Sequence, residues 1–184
     1  MLLPTHIAGA YLTTLSALRA SSASDERTPH VQRGPLLYGI VAGVVSDLDI
    51  LPFMVRFGLS AFGDRFGEHR ATFLHTPVCA LMLGLAPLLF RIRPRRPWMI
   101  AGAVGVLTHL LLDSLTIGLG VMWLYPFSHD FYGLNIATRR YRQVWGDEWL
   151  FHYVQHPLFL IELAIIIAAL VVSWKRRHGV GEAK

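Results

Sequence analysis

Apolar residues fall in five long stretches with short polar breaks between them: Leu2 to Ala20, Pro35 to Phe57, Ala71 to Phe90, Trp98 to Trp123 and Pro157 to Trp174. Each approaches the roughly 20 residues a helix needs to cross a bilayer core. The last, PLFLIELAIIIAALVVSW, contains a single charge, Glu162. The others include Gly, Thr, His and Asp, so each has a polar side to turn away from lipid. This pattern predicts an all-α integral membrane bundle of about five transmembrane helices. It also predicts one membrane-embedded domain over residues 1–184, with an outer loop at about 124–156. The first stretch is not expected to be a cleaved leader, because no Lys or Arg precedes Arg19.

Composition sharpens this picture. Hydrophobic residues are 53% of the 184 and charged residues 16%, against about 25% charged in a soluble domain. A disordered chain is excluded, and one Cys excludes a disulfide framework or a thiolate metal site. The net charge is +5, and the basic residues sit in short loops beside helix ends. Arg91, Arg93, Arg95 and Arg96 follow the third stretch, and Lys175, Arg176 and Arg177 follow the fifth. Basic clusters stay in the cytoplasm, so both of these ends are expected inside, and the N-terminus outside. No aromatic-interleaved basic surface is present, so no nucleic acid is expected as a partner.

Ionisable residues in hydrocarbon are costly and mark functional interiors. Here they are His6, Asp47 and Asp49 in SDLDILP, His69, Arg70 and His75 in EHRATFLHTP, and His109 and Asp113 in THLLLDSLT. The orientation set by the arginines places the histidines and aspartates among them toward the outer half. A lone buried His is more often a packing residue, and a lone Asp often caps a helix. Four His and three Asp at one depth argue for a site. His109 and Asp113, four apart, project from one helix face at chelating spacing. Asp47 and Asp49 can both point inward only if the helix ends or unwinds near Pro52. His69 and His75 cannot share a helix face, so either one of them lies on the loop before the third helix or only one binds metal directly.

Imidazole and carboxylate without thiolate suit zinc, with manganese or iron also compatible, in one or two ions. His6, Asp49, His69, His109 and Asp113 are expected to bind metal directly, and His75 directly or from just behind. Asp47 is expected to bridge metals or act as general base, and Arg70 to hold a substrate phosphate. Glu162 either supports the site or pairs within the bundle. His129, His152 and His156 read as surface residues, and Cys79 as packing. Trp123 to His129, with Trp145 and Trp149, reads as an interfacial aromatic belt.

The segments THIAGAYL, DLD, HRATFLHTP and THLLLDSLTIGLGVMWLYPFS, in that order, resemble the YdjM family of bacterial inner-membrane metal-dependent hydrolases. Some members of that family are described as LexA-binding. The resemblance covers about residues 1–130 and carries over His6, Asp47, Asp49, His69, Arg70, His75, His109 and Asp113. At HRATFLHTP the chain departs from the family, where many members have Gly after the Arg and Ser after the second His. No counterpart is found for Asp130 to His156. A weaker similarity in ligand order links the chain to zinc-dependent phospholipase C and the P1-type nucleases. Together these imply a hydrolase of the bacterial inner membrane, acting on a phosphodiester or phospholipid-like substrate at the extracytoplasmic face among membrane lipids. The alternatives are a non-catalytic metal-binding regulatory protein and, behind it, a metal or proton transporter, which would need polar residues in the inner half as well.

The charge pattern makes a direct prediction about topology. A cysteine introduced by Arg95→Cys is expected to resist an impermeant thiol reagent in intact cells and to react once the membrane is permeabilised. Labelling in intact cells would invert the orientation.

Overall fold

The computed structural model describes residues 2–22, 32–57, 71–115, 120–134 and 154–178, with main chain alone at 53, 54, 56 and 57. His69, Arg70, Trp145, Trp149 and His152 lie outside the described residues, as does most of the expected outer loop. The helices are α1 (Leu3–Ser22), α2 (Arg33–Val45), α3 (Ile50–Phe57), α4 (Pro77–Leu89), α5 (Arg95–Leu115) and α6 (Pro157–His178). A 3-10 turn, Ser46–Asp49, joins α2 to α3, so the second apolar stretch forms one interrupted span. The chain is thus an all-α bundle of five helical units among the described residues. Three spans, Arg33–Pro52, Arg95–Leu115 and Pro157–His178, are long and apolar enough to cross a membrane, and α4 is a shorter apolar helix.

Two boundaries differ from the expected ones. The third stretch becomes α-helical at Pro77, not at Ala71. Thr76 is extended (φ −132, ψ 157), as the residue before a proline must largely be, and Pro77 opens the helix where its missing N–H costs nothing. Residues 73–75 ahead of it form a separate 3-10 turn. The fourth stretch is α-helical to Leu115, and Trp123 lies beyond it in non-helical chain. Gly120 takes φ 87, a left-handed conformation that glycine adopts without Cβ strain. Val121 and Tyr132 then exchange two backbone hydrogen bonds of 2.9 Å each. The segment is fastened to the end of α5 by the Leu134 N–H to the Ser114 carbonyl at 2.8 Å. The Trp123 indole N–H adds a bond to Ser114 Oγ at 2.8 Å.

Helix α5 is the centre of the bundle, packed against α1, α2 and α4, while α6 packs on α1. Apolar packing lies mainly between α2, α4 and α5, where Ala42, Cys79, Ala80, Val106 and Leu110 are buried with Val121. Cys79 is therefore a packing residue, as its place in mid-helix suggested. Outward-facing positions are apolar too, Leu81 and Leu111 at 60% and 56% exposure among them, which fits a surface solvated by lipid.

In lipid there is little hydrophobic drive to bring helices together, and close packing of small residues replaces it. Gly39 and Gly43, four apart, form one such face on α2. A Cβ on Gly105 of α5 would collide with the Gly39 carbonyl oxygen. A Cβ on Gly43 would lie 2.6 Å from the Ala10 Cβ of α1 and 3.1 Å from the Gly105 carbonyl oxygen. Three helices thus meet at Gly43, Gly105 and Ala10, with α2 and α5 running parallel and α1 opposed to both.

Overpacking a tight contact costs about 1–3 kcal/mol. Gly105→Val is expected to lower stability by about that much or more, because the obstructing atoms are backbone and cannot swing aside. Thermal unfolding in detergent, compared with Leu107→Val at a partly exposed position of the same helix, measures it. Equal melting temperatures for the two variants would count against this packing account.

Candidate metal centre

One helical turn from that three-helix contact, each helix presents a polar side chain toward the same end of the bundle. His6 precedes Ala10 by four, Asp47 follows Gly43 by four, and His109 follows Gly105 by four. A fourth turn of chain, Phe73–His75, brings in His75. Asp113 stands one turn beyond His109 on α5. Of these residues His6, Asp49, His75, His109 and Asp113 are buried, and the Asp47 side chain is 27% exposed.

The local break in the second span sets the two aspartates. At 3.6 residues per turn, positions 47 and 49 would diverge by about 160°. The 3-10 geometry, with three residues per turn, brings them to about 120°. Asp47 Oδ1 lies 3.7 Å from His109 Nε2. Asp49 Oδ2 accepts from His75 Nδ1 at 2.9 Å and from the Thr72 hydroxyl. Ser46 Oγ donates to the Leu74 carbonyl at 2.8 Å, which ties the turn carrying the aspartates to the turn carrying His75.

The donor atoms follow from these bonds. His109 Nδ1 lies 2.8 Å from the Gly43 carbonyl. A carbonyl only accepts, so Nδ1 carries the proton, and in the neutral ring Nε2 then carries a lone pair. His75 gives its Nδ1 proton to Asp49 in the same way. Both Nε2 lone pairs then face each other at 3.2 Å, with Asp113 Oδ2 at 3.5 Å from His109 and 3.6 Å from His75. A cation placed between them would meet two imidazole nitrogens and a carboxylate oxygen. Bonds of about 2.0–2.1 Å to a tetrahedral zinc place donor atoms about 3.3–3.4 Å apart, close to the three spacings observed. The second nitrogen of each imidazole is held by a carbonyl or a carboxylate, the usual support of a metal-binding histidine.

His6 sits beside this triangle. Its Nε2 lies 3.3 Å from Asp113 Oδ1, and its ring stacks on His109 with centroids 4.0 Å apart. Asp113 thus turns one oxygen to His75 and His109 and the other to His6. His6 Nδ1 and Asp49 Oδ1 are buried without a hydrogen-bond partner among the described residues. Two overlapping groups, His6 with His109 and Asp113, and Asp47 with His75 and His109, have their ligand atoms within 4.8 Å. The buried His and Asp residues can therefore hold a metal ion.

Six of the eight residues predicted for the site are in this cluster. The remaining two, His69 and Arg70, lie outside the described residues. Glu162 is buried on α6 and bonds to the first turn of α1, away from the triangle. His129 packs edge-on against Tyr125, and His156 Nδ1 accepts from the Leu158 N–H at 3.1 Å. Three contributors were not picked out from the sequence: Thr72, Ser46 and the Gly43 carbonyl. A signal existed only for Gly43, in the four-residue spacing from Gly39.

The YdjM inner membrane protein family model matches residues 1–180. The chain belongs to that family. The match runs well beyond residue 130 and takes in the stretch Asp130 to His156, for which the sequence motifs offered no counterpart. Family membership and the three spans make the chain a multi-pass protein of the bacterial inner membrane. Comparison with curated proteins and with solved structures gives no match.

Loss of one of three convergent ligands cripples a chelate. His109→Ala and Asp113→Ala are each expected to lower zinc affinity at least about 10-fold while leaving the helical circular dichroism of the purified protein unchanged. Elemental analysis after dialysis reads the outcome. Unchanged metal content in both variants would return these side chains to a packing role.

Proposed function

We propose that this YdjM family member is a metal-dependent hydrolase whose site faces the extracytoplasmic side of the membrane. Its substrate is a phosphodiester or a phospholipid-like molecule. The observation that carries the reading is the pairing of two imidazoles whose Nδ1 atoms are both engaged. Their Nε2 atoms converge with Asp113 on one point, beside a single partly exposed carboxylate. His75, His109 and Asp113 would hold a divalent cation, zinc first, with manganese or iron compatible with the same donors. Such a cation supplies Lewis acidity toward a phosphoryl or carbonyl oxygen and makes water a usable nucleophile at neutral pH.

The chain's own groups divide the remaining work. Asp49, held by Thr72, fixes the tautomer and direction of His75. His6 holds the outer oxygen of Asp113. Asp47 stands at the open edge and accepts a proton from water. Arg70 belongs to the same reading as the group that grips substrate phosphate. Exposed Leu48 and Leu51 flank the aspartates, which suits a lipid headgroup reached with its acyl chains still in the bilayer. The arginine clusters support the outward orientation of this end.

A competing reading is favoured by the burial itself. A cation enclosed by four protein ligands, Asp47 included, would be structural, because a catalytic site keeps one position open. Turnover separates the two. Protein in phospholipid–detergent micelles is expected to cleave a phosphodiester or phospholipid slowly, to stop with chelator and to recover with zinc or manganese. Asp47→Asn is expected to lower kcat by about 100-fold and to keep its metal. A fully metallated protein that cleaves nothing in a broad ester and phosphodiester panel would move the assignment to the non-catalytic alternative.

A further inference from the structure

Helix α6 is the most apolar span of the chain, and it buries little of itself in the bundle. Its buried residues are Leu158, Glu162 and Ala169, which fall on one stripe. A helix that meets lipid on most of its surface has little reason to carry a carboxylate, and a charge in hydrocarbon costs several kcal/mol by most measures. Glu162 is nevertheless 1% exposed. Its Oε2 accepts from Thr5 Oγ1 at 2.7 Å and from the Leu2 main-chain N–H at 3.1 Å.

Those two donors belong to the start of α1. The first N–H groups of a helix have no partner within it, and they carry the positive end of the helix dipole. A side chain just ahead of the helix usually satisfies one of them. Here that position is Leu2, which has no acceptor, and the first turn holds no acid. A carboxylate from a second helix does the work instead. Lower down, Val172 of α6 packs against the cluster that holds Leu15 and Leu18 of α1, so the two helices run parallel. Glu162 sets the axial register between them.

The first turn of α1 also carries His6, the residue after Thr5. His6 reaches Asp113 Oδ1 at 3.3 Å and stacks on His109. We infer that Glu162 is a positioning residue of the metal centre: by capping α1 from α6 it fixes where His6 stands against Asp113 and His109. This rests on the reading of the His and Asp cluster as a metal centre. Glu162 bonds to Thr5 and Leu2, and its effect on the cluster passes through His6.

Two measurements test it. The first uses metal-free protein in micelles with isotope-labelled histidine. Glu162→Leu and the milder Thr5→Val are expected to shift or broaden the His6 ring resonances. Glu162→Gln is expected to leave them near wild type, because its amide oxygen still accepts both bonds. His6 resonances unmoved by Glu162→Leu would overturn the inference. The second is zinc affinity by equilibrium dialysis in a double-mutant cycle. Glu162→Leu is expected to weaken zinc about 10-fold in the wild-type background and less than about 2-fold when His6→Ala is already present. Equal losses in both backgrounds would mean that Glu162 acts on the bundle at large, and would overturn it. If the wild type and His109→Ala bind zinc equally poorly, the metal-centre reading fails by itself. The His6 resonances then still decide whether Glu162 positions His6.

Discussion

The contact at Gly43, Gly105 and Ala10 is the constraint on which the rest of the structure depends. Three helices approach there closely enough that a single added Cβ meets another helix's backbone or Cβ. Because the contact has no side chains to give way, it fixes both the separation and the axial register of α1, α2 and α5. One turn away, the same register delivers His6, Asp47 and His109 to one place. The closeness also makes the Gly43 carbonyl reachable by His109 Nδ1. A larger residue at 43 or 105 would therefore disturb the donor state of an imidazole as well as the packing.

The second constraint is polar satisfaction inside a membrane bundle. Every group in the cluster has to find a partner inside the protein or be left at a cost of kilocalories. Most do so in a way that turns the second imidazole nitrogens toward each other. Gly43 occupies one nitrogen of His109, and Asp49 occupies one nitrogen of His75. Thr72 and Ser46 then lock the two short 3-10 turns to each other. The residual unpaired atoms, His6 Nδ1 and Asp49 Oδ1, lie in the same cluster. A buried cluster of imidazole and carboxylate groups at these spacings can hold a cation.

The helical breaks serve the same end. An unbroken α-helix through residues 46–49 would splay Asp47 and Asp49 to opposite sides, and one through residues 71–76 would carry His75 away from Asp49. Thr76 and Pro77 stop the second outcome by backbone sterics alone. Beyond Asp113, Ser114 anchors the 120–134 segment through its carbonyl and its hydroxyl. The end of α5 is thereby tied to a segment whose Val121 packs in the same core as Ala42 of α2.

Much of this was legible in the sequence. The five apolar stretches, each near the length of a span, point to an all-α membrane protein, because a bilayer leaves an isolated apolar segment no other way to satisfy its backbone. The arginine clusters assign a common depth to the histidines and aspartates, and the spacing of His109 and Asp113 already puts them on one face. The need for unwinding at Asp47 and Asp49 follows from helix geometry alone. What the sequence could not determine is which atom of each side chain faces inward. That depends on partners far away along the chain: Gly43 lies 66 residues from His109, and Asp49 lies 26 from His75. Pattern reading assigns residues to faces one helix at a time. The choice of nitrogen, the sharing of Asp113 between imidazoles and the reach of Glu162 across 157 residues to Thr5 exist only once the helices are packed, since a hydrogen bond is fixed by distance and direction in space.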